Sequence, residues 1–129
     1  MSFKNILIPV DGNELTNAAI DQGVALAKLA NGKITALYVV ESKKKLTSAL
    51  SATEYILEKC KDEGVEVTEL IENGIPAQVI LKKSSDYDVI VMGTAGKKGM
   101  TKLIVGSVAE SVIRSSMCPV IVVRSPEVD

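Results

Sequence analysis

Residues 88–110 read Asp88-Val-Ile-Val-Met-Gly93-Thr-Ala-Gly96-Lys-Lys-Gly-Met100-Thr-Lys-Leu-Ile-Val-Gly106-Ser107-Val-Ala-Glu110. A short apolar run, Val89 to Met92, stops at Gly93. A loop containing glycine and lysine follows, and Gly106-Ser107 opens a helical pattern. A strand that empties into a glycine-rich loop and then a helix start is a way of holding phosphate. Glycines let the backbone approach an anion, and the N–H groups of the loop and helix point at it. The spacing is Gly93-x2-Gly96-x9-Gly106-Ser107. It is not a Walker loop, because no G-K-[ST] follows the last glycine, and it is not the dinucleotide fingerprint G-x-G-x-x-G.

Working outward, the rest of the chain alternates strands and helices. Asn5 to Val10 is a nearly continuous apolar run, as in a strand covered on both faces. Pro9 marks a place where ladder pairing stops. Asp11-Gly12-Asn13 is a turn cluster, and a helix is expected over about Glu14 to Ala30. Its expected apolar stripe is Leu15, Ala18, Ala19, Gln22, Leu26 and Leu29. Asn31-Gly32 is a helix stop.

Ile34 to Val40 is the second strand, and Glu41 to Lys45 a charged, solvated connection. The second helix runs from about Leu46 to Glu63, with Leu46, Ala49, Leu50, Thr53, Leu57 and Cys60 on one side. Gly64 ends it. Val65 to Ile71 alternates like an exposed edge strand. Asn73-Gly74 is a turn, and Pro76 opens a third helix running to about Ser84. After the fourth strand, a short helical turn is expected at Met100–Ile104. A fourth helix follows from about Ser107 to Ser115, then a fifth strand over Pro119 to Val123 and a frayed tail. This order, β-α-β-α-β-α-β-α-β, implies one single-domain α/β fold over residues 1–129. A parallel sheet carries helices on both faces, joined by right-handed crossovers. Periodicity does not fix the strand order.

Composition narrows the function. The 129 residues suffice for one domain with a real core. Net charge is −1, so nothing drives the chain globally toward nucleic acid or an anionic membrane. Aromatics make up 3%, too few for base-stacking platforms. No apolar run approaches the roughly 20 residues of a membrane span, and no signal peptide is visible, so a cytoplasmic protein is expected. Histidine is absent, which removes Ser-His-Asp and Cys-His catalysis. Cys60 and Cys118 read as buried reduced thiols rather than a disulfide or metal pair.

The glycine spacing, the opening Ile6-Leu-Ile-Pro-Val-Asp-Gly12 and the closing Cys118-Pro-Val-Ile-Val-Val-Arg124 together carry a resemblance. The chain resembles the universal stress proteins in their ATP-binding branch, essentially from Phe3 to Arg124. That resemblance implies strand order 3-2-1-4-5, an α/β/α Rossmann-like sandwich. Ligands of such sheets sit beyond the carboxyl ends of the strands where the order reverses. It also implies an adenine nucleotide site built from Pro9, Val10, Asp11, Val39, Met92, Gly93, Thr94, Gly96, Lys97, Gly106, Ser107 and Val108. ATP would be accompanied by Mg or Mn, with Asp11 beside the metal, because a lone carboxylate near a triphosphate is otherwise repulsive.

Each residue has a plain structural alternative. The three glycines also serve tight turns, Asp11 also makes an Asx turn, and Val39 and Met92 also suit a core. Lys97 and Lys98 also suit a solvated loop, and Ala95 brings no polar side chain where family members often carry His or Arg. Ser107-Val-Ala-Glu110 is a capping box, so capping and phosphate binding compete for one hydroxyl. No nucleophile–base pair is visible. A nucleotide-dependent signalling module, an enzyme of similar fold and a scaffold without nucleotide all remain open here. The family resemblance further implies a homodimer through the fifth strand, Val120-Ile121-Val122-Val123. That strand has no charge or proline inside it.

Overall fold

The computed structural model describes residues 2–41, 46–94 and 106–124, and side chains within these except those of 46–50. The expected turn at Met100–Ile104, the connection after Glu41 and the tail after Arg124 lie outside the described residues. Five parallel strands are present: β1 (Asn5–Pro9), β2 (Lys33–Val40), β3 (Val67–Asn73), β4 (Val89–Gly93) and β5 (Val120–Val123). Their order is β3-β2-β1-β4-β5, as the resemblance implies. Four α-helices alternate with them: α1 (Asn17–Ala30), α2 (Leu46–Glu63), α3 (Pro76–Lys83) and α4 (Ser107–Ser115).

Strand alternation divides the core in two. Ile6, Ile8, Ile34, Ala36, Tyr38, Val89 and Val91 face the α1/α2 layer, with Ile20, Val24, Ala27 and Ile56 packed on them. Leu7, Leu37, Ile90 and Met92 face the α3/α4 layer, against Ile80, Ala109 and Val112. The central strands bury residues on both faces, hence their unbroken apolar runs.

The helix faces differ from the expected stripes. In α1 the buried residues are Ala19, Ile20, Gly23, Val24 and Ala27, while Leu29 is 87% exposed and Gln22 is also exposed. The cause is close approach at Gly23, where an added Cβ would lie 2.3 Å from Ile8 Cδ1. The sheet thus seats Gly23 at the point of closest approach, with Ile20, Val24 and Ala27 around it. Among the described side chains of α2 the buried ones are Ala52, Thr53, Ile56 and Cys60, so Thr53 and Cys60 of the expected stripe are buried, Leu57 is half-buried, and Leu46, Ala49 and Leu50 lie outside the described side chains. The first helix also begins as a short 3-10 turn, Glu14–Thr16, before α1.

β3 starts two residues later than expected. Gly64 takes φ +70 and the Val65 N–H donates to Cys60 O at 2.9 Å, so both residues finish α2. Glu66 therefore lies before β3, whose two glutamates are Glu69 and Glu72; Thr53 Oγ1 donates to Glu69 from α2.

Asp88 fastens the opposite end of the sheet. Its Oδ2 accepts from the backbone N–H groups of Lys4 and Asn5, both at 2.9 Å, and from Ser2 Oγ at 3.3 Å. An ionised acceptor with two main-chain donors ties the starts of β1 and β4 together. Asp88→Ala should lower stability by about 2–3 kcal/mol, read from urea unfolding, because hydrogen bonds to charged groups are worth more than neutral ones.

Cys60 is buried in the α1/α2-side core, whereas Cys118, expected to be buried, is only half-buried against the other one; the sheet separates the two free thiols. Burial pushes the Cys60 thiol from about 9.0 up to about 11. A raised folded-state value means its contribution to stability is complete below pH 9.0 and is lost as pH climbs toward about 11. At neutral pH Cys60 should label with a thiol reagent only at the rate of unfolding, whereas Cys118 should label first.

Candidate functional site

The reversal of strand order falls between β1 and β4. Their ladder pairs Ile6 with Val89 and Leu7 with Ile90 and goes no further, while β1 stays paired with β2 through Pro9↔Leu37. The Val10 N–H donates to Leu37 O at 2.8 Å on the β2 side, and the Asp88 N–H donates to Asn5 O at 2.8 Å on the β4 side. By alternation the nitrogen of Pro9 faces β4, where it has no proton to give. The expected end of pairing at Pro9 therefore occurs on one side only, and it is where the two strands part into a crevice.

Three segments end near this parting of β1 and β4. From β1 come half-buried Pro9, buried Val10 and exposed Asp11. Gly12 turns the chain at φ +81, with Ala52 of α2 so close that a Cβ would lie 3.2 Å from its Cα. Asp11 Oδ1 accepts the Asn13 N–H at 2.9 Å, so the Asx turn is real. From β2, Val39 is half-buried and packs on the α3/α4-side core, whereas Met92 of β4 is 5% exposed and belongs to that core.

From β4, Gly93 and Thr94 lead into the loop whose residues 95–105, with Gly96 and Lys97, lie outside the described residues. Thr94 continues the sheet by donating to Val123 O at 3.2 Å. The Gly106 N–H donates to Thr94 O at 2.6 Å, which brings the start of α4 to the end of β4. At Gly93 an added Cβ would meet only ordinary contacts, 3.7 Å to Thr16 Cγ2 and 3.9 Å to Val123 O. Neither left-handed backbone nor crowding by the described residues requires glycine there.

The Ser107 hydroxyl does not cap α4. Gly106 is the N-cap, Ser107 is the first helical residue, and among the described residues no side chain caps α4. Glu110 pairs instead with Arg114 at 2.7 Å, so the capping box is not formed. The first intrahelical bond is Glu110 N–H to Gly106 O at 2.9 Å. The N–H groups of Ser107 and half-buried Val108 thus stand ahead of the helix ladder with no cap. The sequence also hid the parts played by Asn13 and Thr16. Thr16 is buried against Gly93, and the signal lies in their spacing of two and five residues after Asp11.

The sequence model of the universal stress protein family matches residues 2–124. The chain belongs to the universal stress protein family. A universal stress protein of Methanocaldococcus jannaschii is 35% identical over 144 residues, covering 97% of this chain and 84% of the relative. Among solved structures, the hypothetical protein MJ0577 is similar at TM-score 0.87 and 31% identity, over 99% of this chain and 100% of that one. A universal stress protein in complex with cAMP shares the fold at TM-score 0.82 and 19% identity, over 98% and 100% of the two chains. No helix among the described residues is long and apolar enough to cross a membrane.

Proposed function

We propose that this universal stress protein is a nucleotide-dependent stress-response or signalling module that holds ATP, with Mg or Mn, in the crevice between β1 and β4. The observation that carries this reading is the uncapped start of α4, drawn to the end of β4 by the Gly106–Thr94 bond. Helix N–H groups without a cap among the described residues and the positive end of the helix dipole favour an anion there. Gly93 points the same way, since the described fold does not itself demand a glycine. The family member solved with cAMP supports an adenine nucleotide in this fold.

In this reading the backbone of Gly106, Ser107 and Val108, with the Ser107 hydroxyl, holds phosphate, aided by Gly96 and Lys97 of the loop. Val39 lies against the base, and Met92 backs that wall from the core. Asp11 accepts a ribose hydroxyl or helps to hold the metal. One carboxylate supplemented by phosphate oxygens is an ordinary Mg environment. The metal would neutralise phosphate charge. The protein's own part is to orient the nucleotide through these groups.

Efficient phosphoryl transfer needs a positioned nucleophile and stabilisation of the transferring group. The crevice offers Asp11 and backbone amides, so hydrolysis should be far below the roughly 10 per second typical of enzymes. Multiple-turnover kinetics with MgATP tests this. A rate near the enzyme median would replace the module reading with that of an ATPase. The reading extends to a cytoplasmic homodimer joined through β5. Its support is the edge position of that strand and its exposed Ile121.

A further inference from the structure

Asp11 is an exposed side chain on a loop, yet it is held. Asn13 is the hub that holds it. The Asn13 N–H donates to Asp11 Oδ1 at 2.9 Å, and Asn13 Oδ1 accepts the Leu15 N–H at 2.9 Å. The Asn13 carbonyl accepts from the Thr16 N–H at 2.9 Å and from Thr16 Oγ1 at 2.7 Å. Thr16 Oγ1 also lies 3.5 Å from Asp11 Oδ1, too far to share its single proton strongly. Thr16 is 8% exposed, and its Cα and Cγ2 lie 3.8 and 3.7 Å from where a Cβ on Gly93 would stand. The 3-10 turn is thus wedged between the two sides of the crevice, with Asp11 bonded to one end of it and Gly93 packed on the other. Both contacts to the Asp11 carboxylate among the described residues land on Oδ1.

We propose that Asn13, braced by Thr16, is a positioning residue for Asp11: it fixes Oδ1 so that Oδ2 is the oxygen offered to a bound nucleotide. The inference rests on the nucleotide reading of the crevice. An unheld surface carboxylate must lose rotamer freedom when it binds, and pre-ordering removes that cost. Losing the hold should therefore weaken binding roughly three- to tenfold.

The test is titration of MgATP into the wild-type protein and into Asn13→Ala, Asn13→Ser and Thr16→Val variants, with thermal unfolding to show that each is folded. Asn13→Ala keeps the main-chain N–H that bonds Asp11 but loses the side-chain cap on Leu15 that seats that N–H, and should weaken affinity by that factor. Asn13→Ser should restore it, because a serine hydroxyl also caps the turn. Thr16→Val keeps the shape, loses the hydroxyl and should weaken binding in the same direction. In an Asp11→Ala background, Asn13→Ala should add nothing. Wild-type affinity in folded Asn13→Ala and Thr16→Val proteins would overturn the proposal, as would an undiminished effect in the Asp11→Ala background. Should Asn13→Ala fail to fold, Thr16→Val decides by the same criteria. A wild-type protein that takes no ATP removes the nucleotide reading itself, and this inference with it.

Discussion

Gly106→Val is expected to weaken MgATP binding by at least about tenfold, a loss of roughly 1.4 kcal/mol or more, while the chain still folds. Gly106 has φ −60 and ψ 153, a conformation open to any L-residue, so the backbone itself does not exclude valine. It is buried at the N-cap of α4, with its N–H bonded to Thr94 O. Valine is a poor N-cap, and its branched side chain needs room, so stability should fall by about 1–3 kcal/mol. The larger consequence is for binding, because the new methyl groups stand where a phosphate would approach the helix N–H groups. Gly93→Ala is the companion control. Its Cβ makes ordinary contacts, so stability should stay within about 0.5 kcal/mol while affinity falls. Titration calorimetry with thermal unfolding separates the two effects. Normal affinity in folded Gly106→Val protein would remove phosphate from this place.

The second large effect is expected at the sheet edge. Ile121→Lys should convert a dimer into a monomer, raising the dissociation constant more than about a hundredfold. β5 is a four-residue edge strand, Ile121 is 38% exposed, and α4 packs beside the strand. Exposed Ile113 in α4 and Met117 just after it add apolar surface. An apolar edge without lysine or proline invites a second strand. In a two-fold interface the substitution acts twice, bringing two lysines together. Sedimentation equilibrium reads the result. A wild-type protein that is monomeric at micromolar concentration would defeat the dimer, and ATP binding by the variant should persist because the crevice lies between other strands.

The two substitutions draw on different kinds of legibility. Strand positions were readable because central parallel strands are buried on both faces, so apolar runs such as Val89–Met92 announce themselves. Gly93, Asp11 and Gly106-Ser107 were readable because glycine and turn chemistry are local. The strand order came from resemblance, since hydrophobic pattern does not specify which strands pair. The α1 face was misread by about one residue of rotation: the stripe drawn through Leu15, Gln22 and Leu29 left out Ile20, Gly23 and Val24, and nothing in the pattern marks Gly23 as the point of closest approach to the sheet. Ser107 looked like a cap because S-x-x-E fits, but Gly106 takes the cap position and Glu110 turns to Arg114. Asp88, Asn13 and Thr16 were silent for one shared reason. Each acts through hydrogen bonds to main-chain groups, and spacing alone does not show which main-chain group will be in reach.

The central claim, that the crevice between β1 and β4 holds an adenine nucleotide, is tested most directly by titrating nucleotide-stripped wild-type protein with ATP in the presence of Mg or Mn. The account predicts saturable binding of one ATP per chain, strengthened by the metal and not reproduced by single-stranded nucleic acid. The absence of saturable heat at millimolar ATP would contradict it.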